Sequence, residues 1–303
     1  MNLSVLQLSD EVQQAFERGQ AVVALESTII AHGMPWPDNM QTAQAVEQAV
    51  RDEGATPATI AILDGKICIG LNATQLERVA NGPTLMKASR RDLAYVVSQG
   101  LNAATTVSAT MICAHLAGIQ VFVTGGIGGV HREASQTFDI SADLQELART
   151  PVAVVCAGAK SILDIGLTLE YLETQGVPVL SCGQDNFAAF YCQDSGYRAD
   201  HRLDDPAQQA ALLRTHWALG LSSGAVLSTP VPVADALPQQ EVQVWIDQAL
   251  RDAATQGIHG KAITPFLLAR IQALSGGRSL AANKALVLNN ARVGTRLAVA
   301  LKK

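Results

Sequence analysis

The sequence predicts an α/β fold with a largely parallel central sheet, helices on both faces of that sheet, and a small β-hairpin element. Three observations support this class. Strand-like and helix-like segments alternate along the 303 residues. The clearest strands are continuous apolar runs, which are typical of parallel strands buried on both faces. One Asp-Gly pair lies between two β-branched runs, the usual signature of a hairpin with a type I′ turn.

Elements of the first third follow from caps and turns. Ser9 is placed to cap a helix whose first turn is acidic, and residues 21–25 form a compact apolar strand. Asn39 is expected to cap a second helix. The runs on either side of Asp64-Gly65 predict the hairpin.

The remainder of the chain reads as alternating helices and buried strands. Helices are expected over residues 74–79, 90–98, 107–116, 161–173, 237–254 and 279–301. Strands are expected over residues 119–123, 152–156, 177–180 and 226–227. No repeat or convincing boundary interrupts them, so we expect residues 1–303 to form a single domain.

Composition excludes several classes of protein. Charged residues make up 16% of the chain, well below the ~25% of an average soluble domain, and 48% is apolar, which excludes a disordered chain. A net charge of −5 argues against a surface that binds a nucleic acid polymer. No apolar stretch approaches the ~20 residues that span a bilayer, and the first segment turns acidic too early for a secretory signal.

The cysteines indicate a reducing compartment. Their number is odd and no CxxC pair occurs, which excludes a disulfide scaffold and a four-cysteine zinc site. They are Cys68, Cys113, Cys156, Cys182 and Cys192. We therefore expect a cytoplasmic protein.

Polar residues directly after the predicted strands are the first candidates for chemistry, because ligands of open α/β sheets collect beyond the carboxyl ends of the strands. Lys160 follows one strand and precedes an apolar helix, where the helix dipole favours a neutral, nucleophilic amine that can form an imine. The alternative is a lysine that pairs with a nearby carboxylate. Glu26 is either a general acid or base, or an anion that anchors its own loop.

Three oxygen-bearing residues spaced two apart, Asp139, Ser141 and Asp143, suggest a site for a hard divalent cation. An EF-hand is excluded because Leu144 and Thr150 stand where it needs Gly and Glu. A looser site completed by water stays open. In the alternative interpretation, Ser141 or Asp143 caps the following helix.

Phosphate could be bound where glycines or helix starts accompany cations. The run at 125–129 lacks the spacing of a nucleotide-binding loop, but it lies next to His131 and Arg132. Residues 87–91 and 105–110 offer cations, hydroxyls and amides at helix starts. Asn283, in the first turn of a predicted helix, could read a base edge or serve as a local cap.

Taken together, these segments resemble the pseudouridine-5′-phosphate glycosidase family. The matching stretches run in order from about residue 20 to 295, and residues 185–238 match less distinctly. They are ALESTIIAHGMPWPDN, DGKICIGL, MKASRRDL, TTVSATM, FVTGGIGGVHR, DISADL, CAGAKSILDIGLTLEYLET and SLAANKALVLNNA. The resemblance implies a three-layer α/β/α core, a homotrimer, and reversible cleavage of pseudouridine 5′-phosphate, a small nucleotide, to uracil and ribose 5-phosphate.

The resemblance also implies residue roles. Lys160 would be the imine-forming nucleophile, Glu26 the proton donor and Asp139 the ligand of a divalent metal, usually Mn²⁺. Substrate contacts would come from Lys87, Val107, Ser141, Ala142 and Asp143. We add His131 and Arg132 as phosphate contacts and Asn283 as a base contact.

The chemistry explains the residue types. Pseudouridine joins ribose C1′ to a uracil carbon, so protonating a leaving oxygen, as ordinary glycosidases do, cannot help. The reaction needs instead an imine between C1′ of the opened ribose and a lysine, and a proton for the departing uracil carbon. Three alternatives stay open: a lysine-imine aldolase or sugar-phosphate lyase, a role in indigoidine pigment formation, and a non-enzymatic module that binds a sugar phosphate.

Overall fold

A central β-sheet organises the computed structural model, which describes residues 5–82, 85–258 and 260–303, except for the side chain of residue 261. Its strands, with one short separate pair, are β1 Leu6–Leu8, β2 Val22–Leu25, β3 Thr56–Leu63, β4 Lys66–Ile69, β5 Met86–Ala88, β6 Ala103–Thr105, β7 Val121–Val123, β8 Val130–His131, β9 Ala153–Cys156, β10 Leu163–Asp164, β11 Val179–Ser181, β12 His201–Arg202 and β13 Ala225–Ser228. The helices are α1 Asp10–Glu17, α2 Thr28–His32, α3 Asp38–Asp52, α4 Ala73–Asn81, α5 Arg90–Ser98, α6 Val107–Leu116, α7 Ala134–Thr137, α8 Ala142–Leu147, α9 Ile165–Thr174, α10 Pro206–Ala218, α11 Gln239–Thr255, α12 Ile263–Leu274 and α13 Arg278–Lys302.

The sheet is mostly parallel, as expected. Its order is β1-β4-β3-β2-β7-β9-β13-β11-β12, and β6, paired with β5, adds to β3. The strands from β3 through β2, β7, β9, β13 and β11 to β12 are all parallel, while β4 and β6 run antiparallel to β3. β8 and β10 form a separate antiparallel pair. The predicted hairpin is β3-β4, and Asp64 and Gly65 both adopt the positive φ of a type I′ turn.

Helices pack against the sheet in two groups and give the three-layer α/β/α arrangement. The long helix α13 lies on β2, β7 and β9 and is flanked by α3 and α10. The other group is built around α6, which contacts β2, β3 and β7 and packs against α5 and α8. The strands between the groups are buried on both faces, which explains their continuous apolar sequences.

Most predicted helix starts are confirmed, but the cap expected at Asn39 is wrong. Ser9 caps α1, and the Asp92 carboxylate accepts the Ser89 backbone N–H at 2.9 Å at the start of α5. Asn39 does not cap α3, which begins at Asp38. Its buried amide donates instead to the carbonyls of Ile30 and Ala80, because this turn packs against α2 and α4.

The carboxyl ends of β2, β7 and β9 lie side by side, although residues 25, 123 and 156 are far apart in the chain. The segments that follow these strands carry Glu26, the glycine loop (residues 125–129) and Lys160. In the part of the chain that the structure describes, no helix is long and apolar enough to cross a membrane.

Candidate active site

A cavity of about 380 Å³ opens at this edge of the sheet, within the usual size range of small-molecule sites. Three groups of residues line it: segments after the central strands, the starts of α5, α6 and α8, and the region around the start of α12. The predicted site residues that it brings together are Glu26, Lys87, Val107, His131, Asp139, Ser141, Ala142, Asp143, Lys160 and Asn283.

Glu26 lies directly after β2 and is only 6% exposed. Thr124, which follows β7, donates its hydroxyl to the Glu26 carboxyl group. Burial raises the pKa of Glu26 above its ordinary value; Lys160, the Thr124 hydroxyl and Lys87 oppose this shift, and Asp143 adds to it. The raised pKa favours the protonated acid, the form that can deliver a proton.

Ser27 holds the turn that carries Glu26. Its hydroxyl donates to the Ile60 carbonyl on β3 at 2.6 Å and accepts the Thr105 backbone N–H from β6 at 2.9 Å. The turn after β2 is thus bonded to two neighbouring strands. This fixes the direction in which Glu26 enters the cavity.

Lys160 is half-buried in the loop after β9. Its backbone N–H donates to the Ile127 carbonyl at 3.0 Å, and Ile127 donates to the Gly158 carbonyl at 3.1 Å, so this loop and the glycine loop are joined. The expectation that Lys160 stands at a helix N-terminus is wrong. The short strand β10 intervenes, and α9 begins only at Ile165. The half-buried Lys160 side chain therefore lies near Glu26 and not at the positive end of a helix dipole.

Two positions of the loop require glycine because neighbouring side chains lie close to the backbone there. A Cβ atom at Gly126 would lie 2.6 Å from Cε2 of Phe190, and one at Gly128 would lie 2.6 Å from Oδ2 of Asp143. The backbone N–H of Gly128 already donates to that Asp143 oxygen at 2.8 Å. This amide is therefore not available to a phosphate, contrary to one role suggested for the loop.

Ser141 caps the following helix, as the alternative interpretation expected of Ser141 or Asp143, whereas Asp143 bonds to other segments. The Ser141 hydroxyl caps α8 by accepting the Asp143 backbone N–H at 3.2 Å. The second carboxylate oxygen of Asp143 accepts the Ser108 backbone N–H in the first turn of α6 at 2.9 Å. Both Asp143 oxygens are thus engaged by backbone amides.

Asp139 is the most exposed acid of the cavity, with 44% of its side chain accessible. Its Oδ2 lies 3.7 Å from Nε2 of His131 on β8. Among the residues that the structure describes, no three His, Cys, Asp or Glu side chains gather as a metal cage. A single carboxylate at the mouth of a wet cavity nevertheless fits an Mg²⁺- or Mn²⁺-type ion, which keeps most of its water.

Cations and a helix start lie together at one part of the wall. Lys87 on β5 and Arg91 in the first turn of α5 line the cavity. Val107 is the first residue of α6, whose N-terminus is capped by Thr106, and helix starts favour anions. Arg91 and Thr106 are absent from the set of site residues selected from the sequence.

Arg132 does not reach the cavity, so its expected phosphate contact is corrected. Its guanidinium turns toward α11, where it lies 3.4 Å from the Asp247 carboxylate and 3.4 Å from the Gln243 side-chain oxygen. The end of β8 at His131 explains the difference, since Arg132 lies in the turn that follows this strand and leaves the cavity wall there.

Asn283 lies in the second turn of α13 and is 6% exposed. Its Oδ1 atom is buried without a hydrogen-bond partner among the described residues, a condition it shares with Nδ1 of His32 on the same cavity wall. Burial and the nearby Lys87 hold the pKa of His32 below its ordinary value. An unpaired amide and a neutral imidazole suit a polar ligand that hydrogen-bonds.

Sequence reasoning missed several other lining residues. Thr124, which follows the buried strand β7, was not selected as a site residue, although its hydroxyl bonds to Glu26. His32 belongs to a matching stretch but carried no spacing signal. Phe190 and the start of α12 come from segments without a recognisable motif, and only folding brings them to the cavity.

Comparisons with known proteins show the family of this chain. A model of the family described as indigoidine synthase A like protein matches residues 11–300. A curated relative from Cupriavidus pinatubonensis, named pseudouridine-5′-phosphate glycosidase, is 65% identical over 298 residues, covering 98% of this chain and 95% of the relative. A relative of the same name from Caldanaerobacter subterraneus subsp. tengcongensis is 57% identical, covering 98% and 97%.

Solved structures show the same fold. A prealnumycin C-glycosynthase in complex with ribulose 5-phosphate is 40% identical, with a TM-score of 0.91 over 99% of this chain and 97% of that one. An indigoidine synthase A-like protein from Thermotoga maritima is 31% identical, with a TM-score of 0.91 over 100% and 98%.

Proposed function

Because the chain belongs to the indigoidine synthase A-like family, we propose that it reversibly cleaves the C–C glycosidic bond of pseudouridine 5′-phosphate to uracil and ribose 5-phosphate. The observation that carries this proposal is the pairing of Lys160 with the buried acid Glu26 in one cavity. The names of the relatives support the substrate, and the sugar phosphate in the related C-glycosynthase supports the sugar half of it.

In the proposed reaction, the Lys160 amine bonds to C1′ as the bond from C1′ to the ribose ring oxygen breaks, and that oxygen takes a proton of the attacking amine to become a hydroxyl. The bond between C1′ and the uracil carbon then breaks. The electron pair of this bond goes to the uracil carbon, which takes the proton of Glu26. An imine between C1′ and Lys160 remains. Water hydrolyses this imine to release ribose 5-phosphate, and Glu26 regains a proton from solvent.

The other lining residues orient the substrate. Lys87 and Arg91 supply positive charge for the phosphate, and the start of α6 at Val107 adds the positive end of its helix dipole. Asn283 and His32 offer hydrogen bonds to the polar edge of uracil.

The decisive experiment for this function measures release of uracil from pseudouridine 5′-phosphate, with uridine 5′-phosphate as the control substrate. Borohydride reduction in the presence of ribose 5-phosphate should leave a stable adduct on the Lys160 peptide, detected by mass spectrometry. Lys160→Met should abolish both signals, while Lys302→Met, an exposed lysine at the end of α13, should abolish neither.

The same assay separates the alternatives. An adduct without uracil release would indicate a lysine-imine aldolase or lyase. Binding of ribose 5-phosphate with neither adduct nor turnover would indicate a binding module. An adduct that maps to a different lysine would overturn the role of Lys160.

We also propose that Asp139, with His131 beside it, holds one divalent cation, preferably Mn²⁺, through one carboxylate and water. When bound, such a cation offsets phosphate charge and orients the substrate. Binding of Mn²⁺ to the resting protein, followed by electron paramagnetic resonance, should be lost in Asp139→Ala and kept in Asp247→Ala, whose carboxylate lies outside the cavity. Equal Mn²⁺ binding by both variants would contradict the site.

Assembly as a homotrimer and a cytoplasmic location are part of the same proposal. Exposed apolar side chains support an assembly, and Phe138, beside Asp139, is 83% exposed. All five cysteines are free thiols, which supports a reducing compartment.

A further inference from the structure

Glu146 is a buried acid on α8 to which the proposed reaction gives no role. Its side chain is only 1% exposed, and it forms an ion pair with Arg90. Arg90 donates from Nε to Oε2 at 2.6 Å and from Nη2 to Oε1 at 2.7 Å. The Thr150 hydroxyl also donates to Oε1, and the Ser108 hydroxyl lies 3.5 Å from Oε2. Both carboxylate oxygens therefore have partners, which a buried charge requires.

Arg90 connects this acid with the wall of the cavity. It is the first residue of α5, and its neighbours Ser89 and Arg91 both line the cavity, as does Lys87 on β5. Arg90, between Ser89 and Arg91, reaches toward α8 instead. The turn that carries two cavity cations is therefore held by the ion pair with Glu146.

The start of α6 belongs to the same junction. The Thr106 backbone N–H, at the cap of α6, donates to the Ala88 carbonyl at the end of β5 at 3.0 Å. Ser108, in the first turn of α6, reaches the Glu146 carboxylate. Three helices that border the cavity, α5, α6 and α8, thus meet around one carboxylate.

A fixed backbone beneath cationic side chains favours the binding of an anion. Long lysine and arginine side chains lose conformational freedom when they hold a ligand, and orientation before binding lowers that cost. A bidentate pair of arginine and carboxylate fixes the direction as well as the distance between the two segments that it joins. The pair of Arg90 with Glu146 can therefore orient Lys87 and Arg91 before an anion arrives.

We propose that Glu146 is a positioning residue that acts through Arg90: it fixes the turn between β5 and α5, so that Lys87 and Arg91 are oriented to bind the phosphate of the substrate. The proposal rests on the function given above, in which these two cations bind the phosphate. It assigns Glu146 to the affinity for the sugar phosphate and not to the step that breaks the glycosidic bond.

The test compares Glu146→Gln with the wild type in two measurements. Isothermal titration calorimetry gives the Kd of ribose 5-phosphate for the resting protein. Uracil release gives kcat and KM for pseudouridine 5′-phosphate. Glu53→Gln is the matched control, because Glu53 accepts a similar pair of bonds from Arg296, at 2.8 and 2.9 Å, outside the cavity.

Glu146→Gln should raise both the Kd and the KM by about 10- to 100-fold, because the side chains that bind the phosphate lose their orientation. The value of kcat should change by less than about threefold, since Lys160 and Glu26 belong to other segments. Arg90→Lys keeps the positive charge but loses the bidentate bond, so it should raise both constants as well. The double variant should be little worse than Glu146→Gln, because the two residues act as one unit. Glu53→Gln should change neither constant.

Unchanged Kd and KM in a folded Glu146→Gln would overturn the proposal, and so would a loss confined to kcat. Failure of both Glu146→Gln and Arg90→Lys to fold, followed by circular dichroism, would also overturn it, since the pair would then serve the fold. A wild-type protein that binds ribose 5-phosphate but releases no uracil would contradict the proposed function and not the link between Glu146 and phosphate binding.

Discussion

In the proposed reaction, proton delivery depends on the surroundings of one side chain, Glu26. An ordinary glutamic acid is ionised at neutral pH and cannot donate a proton efficiently. At the end of β2, burial opposes that ionisation, and the cations nearby only partly compensate. Burial thus favours the acid form of this carboxyl group, in the same cavity that Lys160 lines.

Activity should therefore be lost as pH rises through the raised pKa of Glu26, because the acid form is consumed. The loss should occur above the ordinary glutamate pKa of 4.5. Glu26→Gln should lower kcat by about 10²- to 10⁴-fold and remove this dependence. Glu77→Gln, an exposed residue of α4, should keep the wild-type profile. A residual activity of Glu26→Gln with the same pH profile would assign the acid elsewhere.

The free energy of unfolding should also depend on the protonation of Glu26. Because the folded-state pKa of Glu26 is raised, its contribution to stability is present below pH 4.5 and is lost as pH rises through the folded-state value. Glu26→Gln should remove that part of the pH dependence of the free energy of unfolding, measured by urea denaturation. The buried Glu47, whose pKa is also raised by burial, contributes in the same sense and is unchanged in the variant.

Among the elements, α13 connects the core with the cavity. Gly294 lies against Val123 of β7, so the helix approaches the sheet closely. Two side chains on the same helix then meet the site: Asn290 donates to the Thr124 carbonyl at 2.8 Å, and Asn283 lines the cavity. The small residue at 294 thereby sets how near these amides come to the loop after β7.

Gly294→Ala should destabilise the protein, because the added methyl group would overlap with the Val123 side chain. Overpacking of a core costs about 1–3 kcal/mol, and the better helix propensity of alanine returns up to about 1 kcal/mol. We expect a net loss of about 1–2 kcal/mol in the free energy of unfolding, measured by urea denaturation. Arg292→Ala, an exposed position on the same helix, is the control. A Gly294→Ala variant that is more stable than the wild type would show that α13 does not pack closely against the sheet.

For the whole molecule, strand order explains why the site is where it is. Glu26, the glycine loop and Lys160 come from distant parts of the chain, and the neighbouring parallel strands β2, β7 and β9 bring them together at one edge. The same arrangement leaves Phe138 exposed near the mouth of the cavity, with a positive φ that is uncommon outside glycine. We expect this residue to be covered in the assembled protein.

Sedimentation equilibrium should give three times the chain mass of 31.9 kDa. Phe138→Ser should weaken that association, because an apolar contact is lost. Leu219→Ser removes another exposed apolar side chain, 72% accessible at the end of α10, and should have no effect. A monomeric wild type would contradict the trimer, and a trimer sensitive only to Leu219→Ser would place the interface on the other surface.

Local sequence was enough to specify much of the fold and the type of chemistry. Buried apolar runs, helix caps and the Asp-Gly turn act over a few residues, so the buried central strands, most helix starts and the hairpin were predictable. Glu26 and Lys160 were identifiable as site candidates because ligands of open α/β sheets collect beyond the carboxyl ends of the strands. The motifs indicated the family, and the comparisons confirm it.

Contacts between distant segments specified the rest. Nothing near Arg132 in the sequence shows that it pairs with Asp247, and nothing near Asn39 shows that it bonds to Ile30 and Ala80. The loop that separates Lys160 from α9 and the backbone bonds that occupy Asp143 likewise depend on packing across the sheet. Hydrogen-bond partners and burial are properties of the assembled layers, so they emerge only when those layers close around the cavity.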